Sequence, residues 1–285
     1  MLATRRTSCS NPNGQQLAKR GDSVFVRGFY QADDPDSVIV SADWSAIELV
    51  GVASNSKDPA MLDAYAQRPH KDLHTKAAAG IMGMSIEEFS QLENKKALRT
   101  TLGKKANFNY WYSGWLATIG KDMGWNMEQT SEAVKGYTAE FSVAEAWRLG
   151  VIDEIQQRGV VQLADGHTRV RFEATAEWSD MIWEAFTSFG SEAILNFARE
   201  AMRRIQRRAC NQAVNFSIQG LCAALAKKTI LRSITEAKEA GFKARFMLLV
   251  HDETVWSVPR KEAVAFCDFL YQQMIQDTEL LPDVK

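Results

Sequence analysis

The sequence predicts an α+β fold, in which a small antiparallel sheet is assembled from both ends of the chain and a mainly helical region is inserted into it. Two apolar runs rich in strand-forming residues, 37–42 (SVIVSA) and 245–250 (RFMLLV), lie near the ends, and residues 254–258 follow the second run closely. Between about residues 45 and 205, apolar residues instead recur at three- and four-residue spacing, which is typical of helices. Strands at both ends and helices between them are the basis of the prediction.

The elements inside the chain are predicted from the same periodicities. Helical spacing is found in residues 59–67, 86–103, 127–141 and 178–204, with further helical stretches at 215–240 and 262–276. One interruption, at residues 160–166, is typical of a strand that enters an Asp-Gly turn, and residues 168–172 are expected to return as its partner. The prolines are scattered and no Pro/Gly/Ser-rich linker is evident, so we expect no flexible junction between independent domains.

The composition is that of a globular protein and excludes several other classes. With 285 residues, 46% hydrophobic and 24% charged, the chain differs from a disordered tail, a collagen-like fibre and a coiled coil. Its longest apolar run is too short to span a bilayer, and its first residues lack the apolar stretch of a secretory signal. The absence of a CxxC pair predicts reduced thiols, no zinc site and a cytoplasmic protein; the cysteines are Cys9, Cys210, Cys222 and Cys267.

The net charge of -1, from 34 Lys+Arg against 35 Asp+Glu, at first argues against nucleic-acid binding. The charges are segregated, however, because residues 94–121 and 202–210 contain lysines or arginines and no acid, and the first thirty residues are also basic. Such clusters suit phosphate binding, although runs of lysine and arginine more often form solvated helix faces.

Two predicted strands deliver acidic residues to their ends. Asp43 follows the first strand, and Asp252 with Glu253 follows the strand at 245–250. A carboxylate at the edge of an apolar strand is costly to bury unless it is paired or bound to a cation, and Mg²⁺ binds such carboxylates together with substrate phosphate oxygens. The alternative is that Asp43 caps a helix beginning at Trp44 and that the other pair forms a polar turn.

Lys104, Phe108 and Tyr112 recur every four residues and would therefore lie along one side of a helix. A cation, a ring and a phenol in a row could bind a triphosphate, stack on a base and pack against a sugar. The alternative is an ordinary amphipathic helix with its aromatic residues in the core.

Five segments in order resemble the polymerase region of family A DNA polymerases, from Thr4 to the end of the chain. They are residues 10–15 (SNPNGQ), 43–49 (DWSAIEL), 104–108 (KKANF) with Tyr112, 215–220 (NFSIQG) and 249–253 (LVHDE). The resemblance implies a palm subdomain from residues 1–48 and 205–285, with a helical fingers subdomain at 49–204 inserted into it. It also implies DNA-templated DNA synthesis by two-metal nucleotidyl transfer.

The same resemblance implies a role for each matching residue. Asp43 and Asp252 would hold two Mg²⁺ ions with Glu253 beside them, and Lys104 would neutralise the triphosphate and is a candidate proton donor to pyrophosphate. His74 and Arg99 would be further phosphate contacts, Glu48 and Tyr112 would exclude a ribose 2′-hydroxyl, and Phe108 would lie near the sugar 3′ position. The residues expected to contact primer–template DNA are Arg6, Asn13, Gln15, Arg27, Asn215, Gln219 and His251.

The sequence departs from the family pattern at several positions. Where the family carries an arginine four residues before the lysine, this chain has Thr100, and Arg99 lies one residue early, which is about 100° of helix rotation. Ser113 stands in place of a glycine, and Asn211 in place of another arginine.

We expect the thumb and exonuclease domains to be absent, and a separate polypeptide to supply both to a split polymerase. The alternative is a fragment of a longer protein. Two other functions stay open: a non-catalytic DNA-binding subunit, which Thr100 and Asn211 favour, and a single-subunit RNA polymerase, against which Glu48 and the Asp252–Glu253 pair argue.

Overall fold

The computed structural model describes residues 6–7, 28, 30–66, 69–163, 165–188, 191–250 and 252–276. Within these residues a three-stranded antiparallel sheet has the strand order β1-β5-β4. Its strands are β1 (Ser37–Asp43), β4 (Arg245–Val250) and β5 (Glu253–Pro259). The central strand therefore comes from the end of the chain and its two neighbours from opposite ends, which confirms the predicted α+β architecture.

The helices and a second, two-stranded sheet lie between β1 and β4. The helices are α1 (Ile47–Ser56), α2 (Pro59–Tyr65), α3 (Leu73–Ile81), α4 (Ile86–Gln91), α5 (Lys95–Leu98), α6 (Lys105–Ser113), α7 (Ala117–Met123), α8 (Met127–Glu140), α9 (Ser142–Arg158), α10 (Ala176–Thr187) and α11 (Glu192–Glu239), and α12 (Ala263–Ile275) follows β5. A π-helical segment, Arg99–Lys104, joins α5 to α6. Strands β2 (Val160–Gln162) and β3 (Thr168–Val170) form the predicted hairpin.

The prediction was wrong about the continuity of two helical regions. Residues 192–239 form one helix of 48 residues rather than separate stretches, because the basic residues that interrupt its apolar pattern are good helix formers and no proline breaks it. Residues 86–103, predicted as one helix, are divided because Leu92 adopts an extended conformation at the end of α4. Within the described residues, every helix is too short or too polar to cross a membrane.

The chain folds as two compact units. One, here called the sheet unit, comprises the chain up to Glu48 and from Gln219 onward, and the other, the helical unit, comprises Leu49–Ile218. In the sheet unit, the side chains of Val40, Trp256 and Val258 point to the same face of the sheet and pack on Phe266 and Leu270 of α12. The opposite face of the sheet carries the alternate residues of each strand.

The core of the helical unit is an aromatic cluster contributed by α6 and α8 with the residue that follows α8. The ring centroids of Tyr110 and Tyr137 are 4.8 Å apart, those of Trp111 and Tyr137 are 5.7 Å apart, and those of Tyr137 and Phe141 are 5.3 Å apart. All four side chains are almost completely buried. Tilted and edge-on ring pairs at these distances are favourable beyond the area they bury.

Asp58 is a buried carboxylate that caps two helices at once. Its Oδ1 accepts hydrogen bonds from the N–H groups of Ala60 (2.9 Å) and Met61 (3.1 Å) at the start of α2. Its Oδ2 accepts from Val143 (3.1 Å) and Ala144 (3.0 Å) at the start of α9. The negative charge thus lies at two helix N-termini, where backbone N–H groups otherwise lack partners.

We predict that Asp58→Ala lowers the free energy of unfolding by about 2–4 kcal/mol, because two caps are lost and the N–H groups of Met61 and Ala144 stay buried. Urea unfolding followed by circular dichroism measures the change. Asp63→Ala on α2 is the matched control, since Asp63 makes an exposed pair with Lys71, and its effect should stay below about 1 kcal/mol. Equal effects of the two substitutions would contradict the double-cap interpretation.

Candidate active site

The predicted acidic residues come together at one end of the three-stranded sheet. Asp43 is the last residue of β1 and is paired directly with Glu253, the first residue of β5. Asp252 lies in the turn before β5, and its carbonyl accepts a hydrogen bond of 3.4 Å from the Trp44 N–H. Because α1 begins at Ile47, Asp43 belongs to the strand and is not the N-cap of a following helix, so the capping alternative was wrong.

The three carboxylates differ in their surroundings. Asp43 is exposed, Asp252 is half-buried and Glu253 is buried. Ser41, which lies on the same side of β1 as Asp43, donates a hydrogen bond of 2.5 Å to Oε1 of Glu253. Glu253 is therefore held within the sheet face, whereas the side chains of Asp43 and Asp252 are reachable from outside.

The donor set at this sheet end suits a hard divalent cation. Among the described residues, no group of three or more His, Cys, Asp or Glu side chains is arranged as a closed metal site. Mg²⁺ commonly binds one or two carboxylates and completes its shell with water and substrate phosphates. Asp43 and Asp252 fit that mode of binding, in which two carboxylates supply only part of the shell.

Glu48 lies on the first turn of α1 and is contacted by two of the predicted DNA ligands. Its Oε1 accepts a hydrogen bond of 3.3 Å from Nε2 of Gln219 and another from the guanidinium of Arg6. The structure thus brings together, in the sheet unit, one residue expected to select the sugar and two expected to contact DNA.

The buried thiol of Cys222 lies near two of the predicted acidic residues. Its Sγ donates to the carbonyl of Ile47 at 3.3 Å. Burial raises the pKa of this thiol, and the negative charges of Glu48 and Asp252 raise it further while Arg6 opposes them. Glu48 and Asp252 are therefore both within electrostatic reach of one buried group.

In the helical unit, the predicted stripe lies on the surface of α6 and the segment before it. Lys104 is exposed, Phe108 is 38% exposed, and the Lys104 ammonium is 6.0 Å from the centroid of the Phe108 ring. The aromatic residues of this helix that enter the core are Tyr110 and Trp111. The alternative of a stripe buried in the core is therefore wrong for Phe108.

His74, at the start of α3, lies beside this stripe. The centroids of the His74 and Phe108 rings are 6.1 Å apart. Burial lowers the pKa of His74, the charge of Arg99 lowers it further, Asp72 opposes this, and Lys104 adds to the lowering. A ring in this environment is neutral near pH 7.

Asp72 connects Arg99 to the beginning of α3. Its carboxylate accepts hydrogen bonds from Arg99 Nε (2.5 Å) and Nη2 (2.9 Å), from the His74 N–H (3.1 Å) and from the Thr75 hydroxyl (2.6 Å). Partial burial alone would raise the pKa of Asp72, but the hydrogen bonds from Arg99 and Thr75, the charge of Arg99 and the His74 N–H together lower it to about 2.

The π-helical segment packs closely on α3 at Gly103. A Cβ atom at Gly103 would lie 1.8 Å from the carbonyl oxygen of His74, so that only glycine permits this approach. Asn107, four residues after Gly103, is buried and hydrogen-bonded to His74. Gly103, Asp72 and Asn107 were missed in the sequence analysis; a glycine and an amide within the 103–108 segment were the available signals.

Several predicted residues stand apart from these clusters. Asn215 lies on α11, and its Oδ1 is buried without a hydrogen-bond partner among the described residues. Tyr112 is half-buried at the end of α6. Four predicted DNA ligands, Asn13, Gln15, Arg27 and His251, lie outside the residues that the structure describes.

Comparison with known proteins gives a consistent result along the whole chain. The model of DNA polymerase family A matches residues 1–285. DNA polymerase I of Aquifex aeolicus is 28% identical over 275 residues, which cover 95% of this chain and 40% of the relative. DNA polymerase I of Geobacillus stearothermophilus is 25% identical over 286 residues, covering 100% of this chain and 29% of the relative.

A solved structure shares the fold. The POL domain of Pol1 from M. smegmatis, in complex with DNA primer-template and dNTP, superposes with a TM-score of 0.76 at 21% identity and is matched over 96% of this chain and 43% of that chain. This chain spans less than half the length of the proteins it matches.

We predict that Asp72→Asn destabilises the protein in a pH-dependent manner. Because the pKa of Asp72 is lowered to about 2 in the folded state, its stabilisation is present above about pH 4 and is lost as the pH falls towards about pH 2. The difference in unfolding free energy between the two proteins should therefore be larger at about pH 7 than at about pH 3, as measured by urea unfolding.

Asp122→Asn is the control for loss of a surface ion pair, here with Lys105, and should cost less than about 1 kcal/mol at about pH 7. A difference between the native protein and Asp72→Asn that stays constant from about pH 7 to about pH 3 would show that the Asp72 charge does not stabilise the fold.

Proposed function

Because the chain belongs to DNA polymerase family A, we propose that it catalyses DNA-templated DNA synthesis. The 3′-hydroxyl oxygen of a primer attacks the α-phosphorus of a dNTP, a new phosphodiester bond forms, and the bond to the bridging oxygen breaks so that pyrophosphate leaves. The observation that carries this proposal is the meeting of Asp43 and Asp252 at one end of the sheet, next to the buried Glu253.

Asp43 and Asp252 are the residues that would hold two Mg²⁺ ions. When bound, these ions would promote ionisation of the primer hydroxyl and neutralise charge on the reacting phosphate. Glu253, held by Ser41 within the sheet face, would keep the neighbouring strand end in place. The accessible carboxylates of Asp43 and Asp252 would thus bind metal, whereas that of Glu253 would have a structural role.

Lys104, Arg99 and His74 form the proposed triphosphate-binding face of the helical unit. Lys104 would neutralise the triphosphate and supply a proton to the leaving pyrophosphate. His74, neutral and beside Phe108, would donate one hydrogen bond to a phosphate oxygen. Charge-assisted hydrogen bonds of this kind are among the stronger polar contacts in proteins.

The π-helical segment supports Arg99 as the replacement for the arginine missing at Thr100. Hydrogen bonds from residue i to i+5 bring residues five apart to nearly the same side, as residues four apart lie in an α-helix. Arg99 and Lys104 are five residues apart and bound this segment. The one-residue displacement seen in the sequence is therefore offset by the local helix geometry, and Asp72 orients the guanidinium.

The remaining roles concern the sugar and the duplex. Glu48 and Tyr112 would exclude a ribose 2′-hydroxyl, and Phe108 would lie near the 3′ position. Asn215 would be a further duplex contact. The other proposed DNA ligands are Arg6, Asn13, Gln15, Arg27, Gln219 and His251.

The subdomain names and the partner stay predictions. The sheet unit would be the palm and the helical unit the fingers, and a separate polypeptide would supply the thumb and 3′–5′ exonuclease. Primer extension with and without a candidate partner tests the second point, since processive synthesis by this chain alone would contradict the need for a partner.

We predict that Asp252→Asn lowers the rate of primer extension by about 10³-fold or more, because a proposed metal ligand loses its charge. The assay uses the full chain, a primer–template duplex, Mg²⁺ and either dNTPs or NTPs. Asp268→Asn, an exposed position on α12, is the control and should retain activity. Circular dichroism checks that both variants are folded.

Two other outcomes of this primer-extension assay would favour a different function. Unchanged extension by Asp252→Asn would favour the non-catalytic DNA-binding subunit that Thr100 and Asn211 suggest. Preferential incorporation of NTPs by the native chain would favour a single-subunit RNA polymerase and contradict the proposed role of Glu48.

We predict that Arg99→Ala raises the KM for dNTP by about 10-fold, the loss expected for one hydrogen bond to a charged group. Arg158→Ala removes an exposed arginine on α9 and should leave KM unchanged. Adding Thr100→Arg to Arg99→Ala should not restore KM, because the Asp72 carboxylate that orients the guanidinium pairs with position 99 of the π-helical segment. Full restoration by Thr100→Arg would contradict the proposed role of the π-helical geometry.

A further inference from the structure

A buried hydrogen-bond chain runs from the aromatic core of the helical unit to His74. The Tyr137 hydroxyl donates to Oδ1 of Asn107 at 2.8 Å. Nδ2 of Asn107 lies 3.1 Å from the carbonyl oxygen of Leu73 and 2.9 Å from Nδ1 of His74. Tyr137 is 0% and Asn107 is 4% exposed, so water does not compete for these contacts.

The chemistry of these partners fixes the direction of each hydrogen bond. The Leu73 carbonyl can only accept, so the Asn107 atom facing it must be the NH₂ group, and Oδ1 then faces the Tyr137 hydroxyl. The second hydrogen of the same NH₂ group points at Nδ1 of His74. Nδ1 must therefore be an acceptor, and the proton of a neutral ring is left on Nε2.

We propose that Asn107 is a positioning residue that holds His74 as the Nε2–H tautomer, so that Nε2–H is presented as a donor to an anionic phosphate oxygen of the incoming nucleotide. This inference rests on the proposed function. In the opposite tautomer Nε2 would carry a lone pair, which repels a phosphate oxygen, so one amide decides whether the ring attracts or repels its ligand.

The charges around His74 favour a neutral ring, and a neutral ring has two tautomers of which one has to be selected. An imidazolium donates from both nitrogens and needs no such control. Burial lowers the pKa of His74, Arg99 and Lys104 favour the neutral ring, and Asp72 favours the charged one. The ring is therefore neutral near pH 7, and the direction of its dipole is set by its hydrogen bonds.

Backbone packing fixes the position of the Asn107 amide relative to the His74 ring. The contact of Gly103 with the His74 carbonyl fixes the distance between α3 and the π-helical segment. Asn107 follows Gly103 by four residues, and therefore lies one turn further along the same side. Its neighbour Phe108 is exposed on the proposed nucleotide face, so the buried amide lies directly behind that face.

The tautomer can be measured on the whole chain without nucleotide. In protein carrying ¹⁵N-labelled histidine, two-bond nitrogen–proton correlation spectra distinguish protonated from unprotonated ring nitrogens, and the spectrum of His74→Gln identifies the His74 signals among those of the four histidines. We expect His74 to be protonated at Nε2 near pH 7. Protonation at Nδ1 would overturn the inference, whether or not the chain is active.

Two variants test the role of the amide. Asn107→Leu keeps the size of the side chain but cannot donate, and we expect a mixture of the two tautomers. Tyr137→Phe should retain the Nε2–H form, since the Leu73 carbonyl alone orients the amide. Unchanged Nε2–H protonation in a folded Asn107→Leu protein would contradict the positioning role; if this variant does not fold, the measurement on the unmodified chain still decides the tautomer.

Kinetics connect the tautomer to nucleotide binding. Asn107→Leu should raise the KM for dNTP by about 10-fold with a smaller change in kcat, and Asn109→Leu, an exposed neighbour on α6, should stay within about 2-fold. In a His74→Ala background Asn107→Leu should have little further effect, because it acts through the ring. Additive effects would show a purely structural amide. An inactive native chain with His74 protonated at Nε2 would instead contradict the proposed function alone.

Discussion

The antiparallel pairing of β1 with β5 is the constraint on which the sheet unit depends. The two strands come from opposite ends of the chain and pair from Ser37 with Pro259 to Asp43 with Glu253. A slip of one residue would either turn the buried face of β5, with Trp256, outward or move Asp43 of β1 to the core face, depending on which strand shifts. Burial of the apolar face therefore determines where the carboxylates lie, and the proposed metal ligands need no further element to bring them together.

In the helical unit, packing and chemistry depend on the same few atoms. The close contact of Gly103 with α3 brings the π-helical segment to the His74 backbone, and Asn107 then reaches the His74 ring. Asp72 connects the same helix end to Arg99. Substitutions that loosen this contact would change the proposed phosphate ligands even where they leave the aromatic core intact.

Single residues in regular elements could be predicted from the sequence, whereas their supporting partners could not. The shared helix side of Lys104 and Phe108 follows from four-residue spacing, although its exposure does not, and the position of Asp43 follows from the end of an apolar strand. No sequence pattern predicts a hydrogen bond from residue i to i+5, so the π-helical segment was not predicted. Likewise, Asp58 before a proline indicates the cap of α2, but its second role at Val143 depends on tertiary packing.

The neutral state of His74 gives the proposed phosphate face a property that charge alone would not provide. Arg99 and Lys104 already supply positive charge, and a further proton on His74 would be disfavoured by both and by burial. A ring that donates through a fixed Nε2–H can bind a phosphate oxygen without adding charge, and its donor has a direction that an ammonium group lacks. The buried amide of Asn107 thus replaces protonation as the source of the donor, and the direction of that donor is set by a backbone carbonyl that can only accept.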